Sequence, residues 1–336
     1  MTIKDLAAQT GYAVGTVSRV LNNHPNVSEK ARTAILKAVE ESGFELNVNA
    51  KQLKQQHATT ILVVVKGTGN ELFGEMVEAI QALVAQTRYP LIVDYMDEDG
   101  NEVHRAIQLS REKKPLGILF LGGNPENFLA DFSKIDIPCV LVTNDGSTLP
   151  FQNLSSVATD DREAARCAID TLIRLGHKRI AIIGGDRSSS YTSQLRYEGC
   201  LRAFLEHGIC FDDRHDYQGV RFSYQDGYQA TQALLSNQRP FTAIFAAADV
   251  MAIGAIRALR DNGLRVPEDV SVMGVDGLPL GNYLVPQLAT ISQGVDLMAQ
   301  RSVEILLDCI ENGGCARHET VPFAVHQRES VRQIGE

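Results

Sequence analysis

The sequence predicts an all-helical N-terminal head followed by an α/β body that folds as two similar lobes. Two patterns in the 336-residue chain predict this architecture. Apolar residues recur at helical spacing in three short segments near the N-terminus, whereas apolar strand-like runs alternate with helical patterns from Ile61 onward. Continuous apolar strands separated by helices are typical of parallel sheets that are covered on both faces. This region of roughly 270 residues exceeds one ordinary α/β domain, so we expect two lobes.

Three short helices are predicted in the head. The first spans residues 3–9, the second spans residues 14–21, and the third runs from its N-cap Ser28 to Gly43. Each carries apolar residues three and four positions apart, which places them on one buried face. Two short helices joined by a tight turn and braced by a third form a helix-turn-helix arrangement.

A polar linker and a series of strands follow the head. Residues 47–60 carry only isolated apolar positions, so we expect them to connect the head (residues 1–46) to the body. Strands are predicted at residues 61–66, 91–95, 117–121, 139–143, 179–184, 242–246 and 270–274. Helical patterns lie at residues 72–86, 163–175, 250–262 and 297–311. Because ligands of such sheets bind beyond the carboxyl ends of the strands, the loops that follow the strands are the expected ligand site.

Charge is distributed unevenly along the chain. The formal net charge is −9, which alone argues against a nucleic-acid partner. Residues 1–60, however, hold seven basic and five acidic side chains, a net charge of +2, and the remainder carries −11. A mildly basic head on an acidic body is the pattern expected when one small module faces phosphates.

The sequence also predicts a cytoplasmic location. The N-terminus turns polar at once, and no apolar run approaches the ~18 residues that span a bilayer. Six cysteines are scattered without a CxxC pair, which indicates reduced thiols in a reducing compartment. We therefore expect no membrane partner.

No catalytic or cofactor motif can be assembled. Gly67 and Gly69 form half of a dinucleotide fingerprint, but Leu72 stands where the third glycine belongs. Neither a GxxxxGK[ST] nor a GxSxG sequence is present. Five candidate metal ligands between residues 207 and 215 match no metal-ligand spacing. We expect no cofactor, no metal site and no enzymatic activity.

Several sequence blocks follow one another in a fixed order along the chain. The head carries Thr16-Val17-Ser18-Arg19-Val20-Leu21-Asn22 and Val27-Ser28, and the linker carries Asn47, Ala50 and Leu53-Lys54. The body carries Leu175-Gly176-His177-Lys178-Arg179, Arg196-x-x-Gly199, Asp249-x-Met251-Ala252-x-Gly254-Ala255 and Val266-Pro267-Glu268-Asp269-Val270. Taken together, these blocks resemble the lactose-repressor (LacI/GalR) family of bacterial regulators over essentially the whole chain.

The resemblance implies that the second helix enters the major groove of DNA. The positions implied to contact DNA are Val14, Gly15, Thr16, Ser18, Arg19, Asn22 and Asn26, with Leu53 and Lys54 in the linker. Val14 and Gly15 occupy base-reading positions, and Arg19 can donate to guanine bidentately. The polar positions would contact phosphates, which set register rather than sequence preference.

The resemblance also implies that the linker folds as a hinge helix when two subunits occupy an operator. Leu53 would then insert into a minor-groove step as an apolar wedge, and Lys54 would lie near phosphates.

Three positions of the head and linker depart from the family pattern. Gly15 offers no side chain to a base, so the resemblance leaves base readout mainly to Val14 and Arg19. Ala13 replaces the usual Ser or Thr N-cap, at a cost of about 1 kcal/mol of local helix stability. Leu46 replaces the usual proline before the linker.

For residues 61–330 the resemblance implies two Rossmann-like lobes in the type I periplasmic-binding-protein architecture. The expected N-lobe covers about 61–157 and 293–318, and the expected C-lobe covers about 158–290 and 319–330. The implied effector-binding residues are Asn70, Phe73, Thr143, Arg196, Phe222, Asp249 and Asp276. Ala248 stands where many sugar-responsive members carry asparagine, which weakens the prediction of an ordinary sugar effector.

The function implied is a repressor whose affinity for palindromic double-stranded operator DNA is controlled by a small effector. A sugar, a sugar phosphate, or a nucleoside or purine would each suit the implied cleft. A homodimer is expected, because no leucine heptads follow Ser330. Two rival classes are a solute-binding receptor, which residues 1–60 argue against, and an enzyme on a Rossmann-like scaffold, which lacks a nucleophile–base pair.

Overall fold

The structure, a computed structural model, describes residues 3–21, 27–42, 59–237 and 239–335. The chain divides into two compact units, Met1–His57 and Ala58–Glu336. The first unit contains α1 (Ile3–Thr10), α2 (Val14–Leu21) and α3 (Glu29–Ser42). These helices confirm the predicted all-helical head.

The helices of the head begin and end where their sequence dictates. Gly11 adopts a φ of +73°, a left-handed conformation that ends α1 and that glycine tolerates best. The carbonyl of Ala13 accepts from the backbone N–H of Thr16 at 2.8 Å, but the alanine side chain offers no cap. Ser28 does provide one, since its Oγ accepts from the N–H of Ala31 at 3.4 Å. Leu6, Val17 and Ile35 are fully buried and form the centre of the three-helix core.

The second unit contains two six-stranded sheets, one in each lobe. The N-lobe contains β1 (Ile61–Lys66), α4 (Glu71–Val84), β2 (Leu91–Met96), α5 (Glu102–Lys113), β3 (Gly117–Leu121), α6 (Pro125–Asp131), β4 (Cys139–Val142) and β5 (Leu154–Thr159). The C-lobe contains α7 (Asp161–Arg174), β6 (Ile180–Gly184), α8 (Tyr191–Glu206), α9 (Asp213–Asp216), β7 (Tyr217–Gly219), α10 (Tyr224–Ser236), β8 (Ala243–Ala246), α11 (Asp249–Asp261), β9 (Ser271–Asp276) and β10 (Ala289–Gln293). The chain then returns to the N-lobe with α12 (Val295–Asn312) and β11 (His318–Val321), and to the C-lobe with β12 (Phe323–His326).

The strand order is β11-β5-β4-β3-β1-β2 in the N-lobe and β12-β10-β9-β8-β6-β7 in the C-lobe. All neighbouring strands are parallel except β12, which pairs with β10 in the antiparallel direction. The chain therefore crosses between the lobes after β5, after β10 and after β11. The first and third crossings come a few residues later than expected, because β5 continues to Thr159 and β11 to Val321.

Each sheet is covered on both faces, which explains the continuous apolar strands. In β1, Ile61, Val63 and Val65 pack against α4 and α12, whereas Leu62 and Val64 pack on the opposite face near Phe120. Successive side chains of a strand point to opposite faces, so burial of both faces requires an unbroken apolar run. No helix in the described part of the chain is long and apolar enough to cross a membrane.

Candidate DNA interface and effector cleft

The outer face of α2 carries the residues expected to read DNA. Val14 is 42% exposed, Arg19 is exposed, and open space surrounds the position where a Cβ of Gly15 would lie. Thr16 and Ser18 are half-buried beside them. Val17 and Val20 are buried on the opposite side of the helix. This face therefore offers a guanidinium and hydroxyl groups on a helix of the size that a major groove admits.

Four of the expected DNA-contacting residues lie outside the described residues. They are Asn22 and Asn26, which follow α2, and Leu53 and Lys54 of the linker. Their roles remain predictions from the family resemblance.

In the body, the carboxyl ends of strands from both lobes surround one cavity of about 320 Å³. Six of the seven expected effector-binding residues line it, namely Asn70, Phe73, Thr143, Arg196, Phe222 and Asp276. The cavity thus lies where parallel α/β sheets place their ligands, and its volume is that of a small-molecule site.

Local backbone geometry positions the N-lobe side of this cleft. Asn70 is the N-cap of α4, and its Oδ1 accepts from the N–H of Leu72 at 3.1 Å. A Cβ on Gly122 would lie 3.1 Å from the Phe73 ring, so the absence of a side chain at Gly122 makes room for this ring. Thr143 follows β4 with a φ of +75°, a conformation that is uncommon for a residue with a side chain. Residues held in such conformations cluster at ligand sites.

Arg196 is anchored from behind in the C-lobe. Arg196 is 5% exposed, and its Nε donates to Oδ1 of Asp161 at 2.7 Å. Its Nη1 donates to the carbonyl of Ala247 and lies 3.8 Å from Oδ1 of Asp276. These contacts fix the guanidinium and balance its charge at the cleft wall.

Asp276 is a buried carboxyl group of the cleft with one oxygen that lacks a hydrogen-bond partner among the described residues. It is 2% exposed, and its Oδ1 accepts from Nε2 of Gln293 at 2.7 Å. Its Oδ2 has no hydrogen-bond partner among the described residues. Burial raises the pKa of Asp276 to about 7, although Arg196 and Gln293 act in the opposite direction. A buried carboxylate oxygen without a donor is costly, so a ligand hydroxyl that donated to ionised Asp276 would bind favourably.

Asp249, which the family resemblance implies as an effector-binding residue, is not among the residues that line the cavity. Asp249 is fully buried at the start of α11. Its Oδ2 accepts from the N–H groups of Gly277 and Leu278, both at 2.8 Å, and its Oδ1 accepts from Oγ1 of Thr290 at 2.7 Å. Burial raises its pKa. Its acceptor capacity is used to hold the loop that follows Asp276, so it positions the cleft without contacting it.

Lys66 and Glu102 form an ion pair that sequence reasoning missed. The Lys66 Nζ lies 2.6 Å from Oε2 of Glu102, and Lys66 lines the cleft. Glu102 is fully buried at the start of α5. A lysine that ends a buried strand was the available sequence signal, because that position faces the ligand side of the sheet.

In the described part of the chain, four sets of polar contacts join the two lobes around the cleft. Arg221 of the C-lobe pairs with the three consecutive N-lobe residues Asp97, Glu98 and Asp99. Its Nε lies 2.6 Å from Oε1 of Glu98, and its Nη2 lies 2.9 Å from Oδ2 of Asp99. The other contacts are Asn144 Nδ2 to Thr192 Oγ1 at 2.9 Å, Asn124 Nδ2 to the Ser189 carbonyl at 3.3 Å, and Tyr224 Oη to Glu71. The lobes are therefore closed on each other in this structure.

The cleft carries no excess of positive charge. Its described lining includes three cations, Lys66, Arg196 and Arg221, each paired with at least one carboxylate. It also includes four carboxylates, Glu98, Asp99, Asp186 and Asp276. A phosphate or carboxylate ligand would find each of these cations already neutralised.

A helix-turn-helix head joined to a closed, two-lobed ligand cleft defines a ligand-controlled DNA-binding regulator. The model of bacterial regulatory proteins of the lacI family matches residues 2–47, and that of the periplasmic binding protein-like domain matches residues 169–331. The HTH-type transcriptional regulator MalR of Clostridium butyricum is 34% identical over 337 residues, which cover 99% of this chain and 100% of MalR.

Solved structures agree with this assignment. A lac repressor dimer bound to operator and the anti-inducer ONPF matches with a TM-score of 0.74 at 26% identity, covering 99% of both chains. A complex of the transcriptional regulator CelR with cellobiose matches with a TM-score of 0.71 at 26% identity, covering 98% of this chain and 99% of CelR. The chain belongs to the lacI family of bacterial regulatory proteins. It is a DNA-binding transcriptional regulator and not an enzyme.

Proposed function

We propose that the protein is a cytoplasmic repressor whose affinity for a palindromic operator is controlled by a small, uncharged sugar in the interlobe cleft. The main support for this proposal is which polar groups of the cleft already have partners within the protein. Asp276 offers an unpaired acceptor, whereas the cations of the cleft are balanced by carboxylates. Hydroxyl groups both donate and accept hydrogen bonds, so a polyhydroxyl ligand suits this lining.

The aromatic residues of the cleft favour the same ligand. Phe73 and Phe222 lie on opposite lobes, and Tyr191 also lines the cavity. The apolar faces of a sugar ring can pack on such rings while its hydroxyls reach the polar groups between them. A sugar phosphate is disfavoured by the neutralised cations. A nucleoside or purine would use the rings but would leave fewer hydroxyls for Asp276.

The control mechanism is a population shift. Two bodies associate as a dimer and hold their heads at a spacing that matches two half-sites. A sugar that binds the closed lobes better than the open lobes shifts the lobe equilibrium, and the hinge segments transmit this shift to the heads. Arg19 and Val14 read the bases, and Arg196 and Asp276 bind the effector.

The proposal is tested by a thermal-shift screen and a DNA-binding assay on the same full-length protein. Neutral sugars, their phosphates and nucleosides are screened at equal concentration, because a ligand that binds the folded state raises its melting temperature. We expect a neutral sugar to give the largest rise and the same sugar to change affinity for a selected palindromic duplex. A phosphate ester that stabilises the protein more than its parent sugar would contradict the proposed effector class.

A further inference from the structure

We infer that Lys66 contacts the effector directly, donating a hydrogen bond from the N-lobe to an oxygen of the bound sugar. This inference rests on the proposed function and adds a specificity-determining residue to the same cleft. Lys66 ends β1 and lines the cavity, and its side chain is 12% exposed. A partly exposed lysine in the lining of a ligand cavity can direct its remaining N–H donors to a bound ligand.

The hydrogen-bond inventory of the pair shows which donors remain. Both oxygens of the Glu102 carboxylate accept hydrogen bonds: Oε1 accepts from the Asn124 N–H at 2.6 Å, and Oε2 accepts from Asn127 Nδ2 at 2.9 Å and from Lys66. The ammonium of Lys66 carries three N–H donors. Glu102 is the acceptor that it contacts within the described residues, so two donors remain for water or ligand.

The buried carboxylate also determines what Lys66 can select. Glu102 is fully buried and holds Nζ at 2.6 Å, which fixes the ammonium and neutralises its charge. A donor whose position is fixed and whose charge is neutralised distinguishes ligands by where their acceptor atom lies, and not by their charge. Lys66 therefore favours a hydroxyl or ring oxygen of an uncharged ligand.

Lys66 complements Asp276 across the cleft. The N-lobe presents a donor in Lys66, and the C-lobe presents an unpaired acceptor in Oδ2 of Asp276. A sugar can accept from the first and donate to the second, and would thereby hold the two lobes together. Lys66 and Asp276 together therefore select a ligand by the distance and direction between two of its oxygens.

The test separates ligand binding by Lys66 from its structural role as a counter-ion. Replacing Lys66 alone would leave the Glu102 carboxylate buried without a cation, which destabilises the fold for reasons unrelated to ligand. The double variant Lys66→Met, Glu102→Gln removes both charges and keeps one carbonyl oxygen that can accept from the Asn124 N–H. The matched control is Lys113→Met, which removes an exposed lysine of the same lobe away from the cavity.

Glucose, galactose, ribose, maltose and cellobiose are first screened on the full-length wild type by thermal shift, and the strongest binder is titrated by calorimetry. We expect the double variant to bind that sugar at least about tenfold more weakly, as for the loss of a hydrogen bond to a charged donor. The control should bind it with wild-type affinity. If the double variant does not fold, Lys66→Gln with Glu102→Gln is titrated instead, because the shorter glutamine withdraws the donor from the cleft.

The remaining outcomes overturn the inference in distinguishable ways. Equal affinity for the wild type, the double variant and the control would show that Lys66 is only the counter-ion of Glu102, and the proposed function would stand. Failure of every sugar to stabilise the wild type would overturn the proposed function and the inference with it.

Discussion

At the scale of single residues, the cleft contains charged groups that protein partners hold from one side. These groups keep hydrogen-bonding capacity for a ligand on the other side. Arg196 is held from behind by Asp161, and Lys66 is held by Glu102, so each presents a fixed donor. Asp276 keeps one oxygen unpaired. Such groups cost stability in the empty protein, and a ligand that satisfies them recovers that cost as affinity.

The raised pKa of Asp276 predicts how stability depends on pH. In the folded chain burial raises this pKa from 3.8 to about 7. Between these values the folded chain keeps a proton that the unfolded chain has released, so Asp276 makes the unfolding free energy fall as the pH rises through about 7. Burial raises the pKa of Asp161 and Asp249 in the same direction. Chemical denaturation at several pH values from 4 to 8 should show a smaller decrease for Asp276→Asn than for the wild type, and an identical decrease would contradict this assignment.

Arg19 carries the other residue-scale prediction. If its guanidinium donates bidentately to guanine, Arg19→Ala should lower the affinity for a selected operator about 5- to 150-fold, because such a contact contributes about 1–3 kcal/mol. Sugar affinity should not change. The matched control is Lys30→Ala on α3, which is also exposed. Fluorescence anisotropy with labelled duplexes measures the first effect, and loss of sugar affinity in Arg19→Ala would show that the two functions are not separate.

At the scale of secondary structure, α2, the helix expected to read DNA, begins without a side-chain cap. Ala13 supplies only its carbonyl, which accepts from Thr16 and Val17. Ala13→Ser should stabilise the first turn of α2 by about 1 kcal/mol, since a serine hydroxyl can accept from an orphan N–H there. Hydrogen exchange of the first amides of α2 in the full chain should then slow by roughly fivefold. Ala13→Val, which adds bulk without an acceptor, should give no such protection.

Strongly patterned elements were predictable from sequence, and weakly patterned ones were not. β1 and α2 were predicted with their observed bounds, because an unbroken apolar run and a 3–4 spacing are unambiguous. β5 was missed because Ser155 and Ser156 interrupt its apolar pattern, although both are buried. β7 was missed because it has only three residues.

The site was predictable to the same limited degree. Arg196 and Asp276 were placed by family resemblance, and both line the cavity. Asp249 was expected in the cavity lining and lies outside it, because sequence does not show whether a carboxylate faces a cavity or the backbone of the next loop. Lys66 and Arg221 were missed because their partners, Glu102 and residues 97–99, are distant in sequence.

At the scale of the whole body, Arg221 links the two lobes by ion pairs with Asp97, Glu98 and Asp99. We expect Arg221→Ala to open the lobes more often and to lower sugar affinity severalfold. Because Arg221 is exposed, the loss should shrink as salt concentration rises and screens the wild-type contact. Calorimetry at low and high sodium chloride measures this difference. Arg265→Ala, which removes an exposed ion pair with Asp269 within one lobe, is the control.

We expect occupancy of the cleft to control the affinity of the head for DNA. The most direct measurement titrates full-length protein onto a selected palindromic duplex at fixed ionic strength, with and without a saturating concentration of the stabilising sugar. We expect a clear preference for the palindrome over random duplex, and a change of about 5- to 150-fold in the affinity for the palindrome when the sugar is present. Sequence-independent DNA binding, or an operator affinity that the bound sugar leaves unchanged, would contradict it.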